Sequence, residues 1–250
     1  MPKFFVISDI HGYYDEMKKA LDKAGFDPEN EEHWLITCGD HFDRGHQPLQ
    51  VMEYLQSLPR KVLIKGNHES LLLDCLQRGY AERHDWSNGT AQSIIDIAYE
   101  AETFGSGCII AYERVKDFIY SMVDYYETAN YIFVHSWIPA KCNDNLPVYY
   151  TKNRKFEFNP DWREAHHSEW EQARWNNPYK MVEDGLLPDK TVVFGHWHTS
   201  YPRSRYENKP EWGEDANFSI YNGDGYIAID GCTAYSGQVN VLVIEDDFLK

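Results

Sequence analysis

The chain has 250 residues, 42% of them hydrophobic, which is enough to bury the core of one large α/β domain. Its 24 basic and 40 acidic side chains give a formal charge of -16, which argues against non-specific binding to nucleic acid or to an anionic membrane surface and favours a bound cation. Cys38, Cys75, Cys108, Cys142 and Cys232 are scattered and odd in number, against a disulfide framework; with no signal-peptide pattern in MPKFFVISD and no apolar run of membrane-spanning length, the expectation is a cytoplasmic protein without a membrane partner.

In chain order, FFVIS (Phe4 to Ser8) predicts a short buried strand, and YYDEMKKALDKAG a helix with Met17, Ala20, Leu21 and Ala24 on one face and Gly25 closing it. HWLITCG predicts a strand, PLQVMEYLQSL a helix with Pro48 in its first turn, KVLIKG a strand and ESLLLDCLQRG a helix. This alternation predicts an α/β fold built on βαβ units and a mainly parallel sheet. From about Asn88 to Asp124 the strand signal lapses, while TAQSIIDIAYEAETF and ERVKDFIYSMV are helical in period. Residues 1–250 are therefore expected to form a single domain with a helical insertion at about 88–124, a lid or wall over one face of the sheet. YIFVHS returns to strand. The stretch from Trp137 to Pro188, rich in aromatics, Asn and Pro, gives no clear reading; TVVFGH, GYIAIDG and QVNVLVIE then predict three strands, antiparallel in part.

Ligand-type residues fall at the ends of these apolar runs. Asp9 and His11 follow FFVIS, Asp40 and Asp43 follow WLITCG, Asn67 and His68 follow VLIKG, His135 follows YIFV, and His196 and His198 follow TVVFG. Singly, each has a plain structural explanation: an N-capping Asp in DIHG, a helix start in GNHE, a satisfied core histidine at 135, an exposed polar edge in GHWH. Jointly they require the same coincidence at the same end of five strands, which is where ligands bind in an open α/β sheet. Imidazoles and carboxylates converging there make a divalent-metal constellation.

DIHG, GDHFDRG, GNHE, VH and GHWH together resemble, in order, the motifs of the calcineurin-like metallophosphoesterase superfamily, and the GDxxDRG form resembles its branch of serine/threonine protein phosphatases and bacterial diadenosine tetraphosphatases. The resemblance implies a four-layer αββα sandwich, two mixed β-sheets packed face to face and flanked by helices. It implies two divalent metal ions, manganese first, with iron, zinc, nickel or cobalt as alternatives. Asp9 and His11 then match ligands of one metal, Asn67, His135 and His196 those of the other, and Asp40 the bridge that offsets repulsion between the two; His198 is a further candidate ligand. Metals so placed would make a hydroxide nucleophile at neutral pH for in-line attack on phosphorus. By the same resemblance Asp43 orients His68, which protonates the leaving oxygen, and Arg44 holds the phosphate, with Asn67 also near the substrate.

Ser136 and Trp137 stand where the phosphatase branch has small residues, so a narrower site or an aromatic stacking wall is expected there. Arg174, in QARWNNP, is either a second phosphate ligand or a cation-π partner of Trp170 and Trp175. The aromatics of VYYTKN and RWNNPY either line a groove or pack in the core, His166 and His167 read as a solvated helix face, and Asp230 as a turn aspartate. The function expected first is a phosphomonoesterase of the protein-phosphatase type, acting on a phosphorylated protein or a small phosphoester. Diadenosine tetraphosphate hydrolase or another nucleotide phosphatase is the alternative, and a metal-binding module without catalysis a second one.

Overall fold

The structure, a computed structural model, describes residues 1–100, 106–142 and 155–249. Its elements run β1 (Lys3–Ile7), α1 (Tyr14–Ala24), β2 (His33–Cys38), α2 (Pro48–Ser57), β3 (Lys61–Ile64), α3 (Asn67–Arg78), α4 (Arg83–Asn88), α5 (Thr90–Glu100) and α6 (Ser106–Tyr120). Then come β4 (Tyr125–Glu127), β5 (Tyr131–Val134), β6 (Lys141–Cys142), β7 (Phe156–Glu157), α7 (His167–Ala173), α8 (Pro178–Glu183), β8 (Thr191–Phe194), α9 (Ser200–Glu207), β9 (Tyr221–Gly223), β10 (Tyr226–Ala228), α10 (Thr233–Ser236) and β11 (Leu242–Glu245).

Two mixed sheets form. One is four-stranded in the order β11-β1-β2-β3, the other five-stranded in the order β4-β5-β8-β10-β9. In the first, β1, β2 and β3 are parallel and β11 is antiparallel to β1; in the second, β5, β8 and β10 are parallel between antiparallel edge strands. Alternation along each strand explains the layering. Phe5, Ile7 and Leu35 face the helices α1, α2, α3, α5 and α6 through Met17, Leu21, Met52, Leu72, Ile97 and Phe118, whereas Phe4, Val6, Ile36 and Cys38 turn inward. From the other sheet Phe133, Val193 and Ile229 meet them, while Ile132, Val134, Val192 and Phe194 pack outward on Trp162, Trp170, Tyr179 and Met181. Strands covered on both faces must be apolar throughout, which is why the runs read as continuous rather than alternating. The fold is the four-layer αββα sandwich.

The local stops follow sequence. Gly25 closes α1 in the left-handed conformation, its N–H reaching Asp22 and Leu21, and Pro48 opens α2 where a missing N–H is harmless. Within 88–124 the described residues form α5 and α6, the helices begin earlier than expected, at Arg83, and the chain leaves helix after Tyr120 to bridge β3 at Val123. The tail of TAQSIIDIAYEAETF and the whole of VYYTKN lie outside the described residues. In the stretch that resisted reading, His166 and Asn177 cap α7 and α8 with their side chains. Trp137 is not a stacking wall: it is 1% exposed, its Nε1 donates to the Leu186 carbonyl at 3.2 Å, and it meets Phe194 edge-on. Tyr179 of RWNNPY is likewise core.

Candidate metal centre and active site

The C-terminal ends of β1, β2 and β3 from one sheet and of β5, β8 and β10 from the other meet at the seam between the sheets. The turns there are tight. Asp9, His11, Asp40, Asp43, Arg44 and His196 all have left-handed backbones, with φ of 50, 51, 56, 74, 67 and 66°. Non-glycine residues adopt that region at an energetic cost that surrounding contacts must offset, and such strain clusters at functional sites. Two glycines permit the loops to approach: a Cβ on Gly66 would lie 2.2 Å from Asp40 Oδ1, and one on Gly195 2.1 Å from Asp9 Oδ2.

The ring nitrogens are sorted by their backbone partners. His11 Nδ1 donates to the Phe42 carbonyl at 2.9 Å and His135 Nδ1 to the Cys38 carbonyl at 2.8 Å, so each presents Nε2 as a lone pair, that of His11 facing the Arg44 guanidinium. His135 Nε2 then faces Asn67 Oδ1 at 2.8 Å, His196 Nδ1 at 3.2 Å and Asp40 Oδ1 at 3.4 Å. His11 Nε2 lies 3.7 Å from Asp40 Oδ2. Lone pairs crowded together without a proton between them repel, and a cation resolves the conflict. The groups His11–Asp40–His68 and Asp40–His135–His196 each bring their donor atoms within 4.8 Å of one another, with Asp40 common to both.

Electrostatics point the same way. Burial, then the charges of Asp230 and Asp40, push the Asp9 carboxyl well above its usual range; the His196 N–H donating to Asp9 Oδ2 at 2.9 Å opposes this only in part. Burial lowers His11, His135 and His196, keeping them in the neutral form that ligates metal. Neutral imidazoles around crowded carboxylates are a donor set that fits divalent metal ions, with Asp9, His11, Asp40, Asn67, His135 and His196 as the residues able to hold them.

Beside this set, His68 Nδ1 donates to Asp43 Oδ2 at 2.7 Å, the same oxygen accepts from Thr90 Oγ1 at 2.6 Å, and the Asp43 N–H donates to Ser93 Oγ at 2.9 Å. Burial alone would lower the His68 pKa and Arg44 adds to that, but Asp40 and Asp43 outweigh both and leave it raised. Arg44 sits between two rings, Nη1 2.7 Å from His11 Nε2 and Nη2 3.2 Å from His68 Nε2.

Two expected residues have protein partners of their own. His198 has Nδ1 2.8 Å from Ser200 Oγ and Nε2 3.5 Å from Glu211, and joins neither donor group. Arg174 is 3% exposed and ion-paired with Asp124, its Nε and Nη1 without a hydrogen-bond partner. Sequence reasoning missed two others. Glu69, fully buried, accepts from the N–H groups of Asp40 (3.0 Å), His41 (2.8 Å) and Gly66 (2.7 Å) and from His41 Nδ1 (3.1 Å). Asp230 is the expected turn aspartate, accepting from the Cys232 N–H at 2.7 Å, but it is also buried, and burial pushes its pKa up to about 6. Its signal was the one that marked the others, an acid ending the apolar run IAI.

The family profile described as calcineurin-like phosphoesterase matches residues 2–217. A symmetrical bis(5'-nucleosyl)-tetraphosphatase of Glaesserella parasuis is 38% identical over 99 residues, which is 39% of this chain and 33% of that protein. The match thus spans about a third of that relative. Among solved structures, one provisionally assigned as a diadenosine tetraphosphatase superposes with a TM-score of 0.56 at 15% identity over 98% of this chain and 91% of its own. A protein serine/threonine phosphatase from Saccharomyces cerevisiae superposes with a TM-score of 0.54 at 13% identity over 100% and 81%. At such identities the superpositions establish the fold.

Proposed function

The chain belongs to the calcineurin-like phosphoesterase family, and from that premise we propose that it is a metal-dependent hydrolase of dinucleoside polyphosphates. The observation that carries the hydrolase reading is the convergence of two donor groups joined at Asp40 with the His68–Asp43 pair and Arg44, groups that a mere metal store would not need. The nucleotide reading, ranked here ahead of a phosphomonoesterase of the protein-phosphatase type, is supported by the name of the curated relatives. When bound, two divalent ions would supply Lewis acidity toward a phosphate and a water.

The chain's own residues do the rest. Arg44 presents its planar fork at the mouth of the donor cluster and binds phosphate oxygens, opposing the charge that grows on them. His68, held by Asp43, gives a proton to the leaving oxygen, and Thr90 and Ser93 hold Asp43. Asp40 joins the two donor groups. Arg174, sealed from solvent against Asp124, is left out of the substrate contacts. The free thiols Cys38, Cys75, Cys142 and Cys232 support a reducing compartment. Among the described residues no helix is long and apolar enough to cross a membrane.

One observation favours the phosphomonoesterase as a second reading: a raised His68 pKa suits an alkoxide leaving group, which needs a proton more than a nucleotide phosphate does. The test is to strip the protein of metal, restore Mn²⁺ or Zn²⁺, and offer diadenosine tetraphosphate and a phosphoserine peptide separately. Metal-dependent release of two ADP supports the proposal. Turnover of the peptide alone gives the site to the second reading, and turnover of neither under any metal sinks both.

A further inference from the structure

Trp212 and Tyr235 stand out among the exposed aromatics because they meet each other beside the loops that follow His196 and Asp230. Trp212 is 49% and Tyr235 55% exposed, and their rings meet at 5.1 Å and 81°, forming an open corner. Buried Phe218 backs both, at 6.2 and 5.6 Å. His198 lies 4.5 Å from the Trp212 ring, which gives this histidine a place apart from the metal donors. The corner is held rigid: Ser200 Oγ donates to the Glu211 carbonyl at 2.8 Å, and the Gly213 N–H donates to Tyr235 Oη at 3.1 Å.

Both arms grow out of the active-site loops. His198 follows His196 by two residues, and Tyr235 donates its N–H to the carbonyl of Cys232, two residues after Asp230, at 2.8 Å. The two loops are tied together where the Thr199 N–H donates to the Asp230 carbonyl at 3.0 Å, so the corner is anchored on both sides to loops that carry buried residues of the site, His196 and Asp230.

We infer that Trp212 and Tyr235 form a stacking corner for the nucleobase of a substrate whose phosphate is held by Arg44. The inference rests on the nucleotide reading above and adds the part of the molecule that recognises the nucleoside. A flat base lies on one exposed ring with its edge against the other, a geometry that aromatic pairs favour. Stacking on protein rings recognises bases without a basic surface, which a chain of formal charge -16 does not offer.

The test uses the metal-loaded full chain and calorimetric titration with ADP and, separately, inorganic pyrophosphate. Trp212→Ala is expected to weaken ADP about tenfold to a hundredfold and to leave pyrophosphate within about twofold, with Trp212→Phe keeping most of the ADP affinity. Equal weakening of both ligands, or of neither, overturns the corner. Hydrolysis separates the two levels of failure. If wild type and Trp212→Ala cleave diadenosine tetraphosphate with the same KM, the corner falls and the nucleotide reading stands. If wild type cleaves only phosphopeptides and binds ADP no better than pyrophosphate, both fall.

Discussion

His68 governs the proton balance of the site. Its raised pKa is sustained by Asp40 and Asp43 against burial, so the acid form persists to higher pH than for a free imidazole and is lost as pH rises through that value. His68→Asn should reduce kcat about a hundredfold to ten-thousandfold, with metal content unchanged by elemental analysis, the usual worth of a placed acid. The loss should be smaller for diadenosine tetraphosphate than for an alkyl monoester, because a nucleoside diphosphate leaves as a stabilised anion. Asp43→Asn removes charge that favours the imidazolium, so the alkaline limb of the kcat profile should move to lower pH; a limb that stays put would mean that another group titrates there. These residues were legible in the sequence because each motif carries its own spacing. Thr90 and Ser93, which orient Asp43 from 47 and 50 positions away, were not, since a hydroxyl on a helix looks like any other until the fold brings it round.

Each strand end supplies one or two donors, and what holds the ends in register is Glu69 and the glycines. Glu69 joins the Gly66, Asp40 and His41 backbones; burial acts to raise its pKa, but His41 and the backbone N–H groups overcome this and hold it well below the usual range. A carboxylate depressed in this way stabilises the fold above its ordinary pKa of 4.5, and that contribution is lost as pH falls below it. Glu69→Gln should therefore destabilise by about 3–5 kcal/mol at neutral pH in urea titrations, as for a broken buried charge pair, with the gap to wild type narrowing in acid. Gly195→Ala should displace Asp9, and the variant is expected to lose at least about tenfold in metal retention on dialysis, in line with other disturbed supports of metal ligands. The positions of the longer strands and the helix faces were readable from apolar runs. The identity of the second sheet was not, because Tyr125–Glu127 and Tyr221–Gly223 are three-residue strands with too few positions to show a period. Trp137 misled because an aromatic after a ligand histidine reads the same whether it faces the substrate or the core.

At the scale of the whole molecule, acidic groups are gathered at the joint of two sheets in a chain already strongly negative. Chelation should lower Tm, and restoring metal to about a hundred times its Kd should recover about 2.7 kcal/mol, read from thermal melts at fixed ionic strength. A Tm indifferent to chelator would count against Asp9, Asp40 and their neighbours as the binding site. Asp9, His11, Asp40, Asn67 and His68 hang from one sheet and His135, His196 and Asp230 from the other, while the seam beneath them is packed mostly by Phe4, Val6, Phe133 and similar apolar side chains. Dispersion contacts of that kind are individually weak and collectively large, and unlike ligand bonds they fix no particular atom opposite another. The ligand cluster is thus a rivet through two plates, set at the carboxyl ends of the strands, while backbone pairs such as Lys65 with Val123 and Ala129 with Asp247 stitch the plates elsewhere. A bound metal would then fasten the two sheets to each other as well as serve the chemistry, so losing it loosens the joint and the active site together.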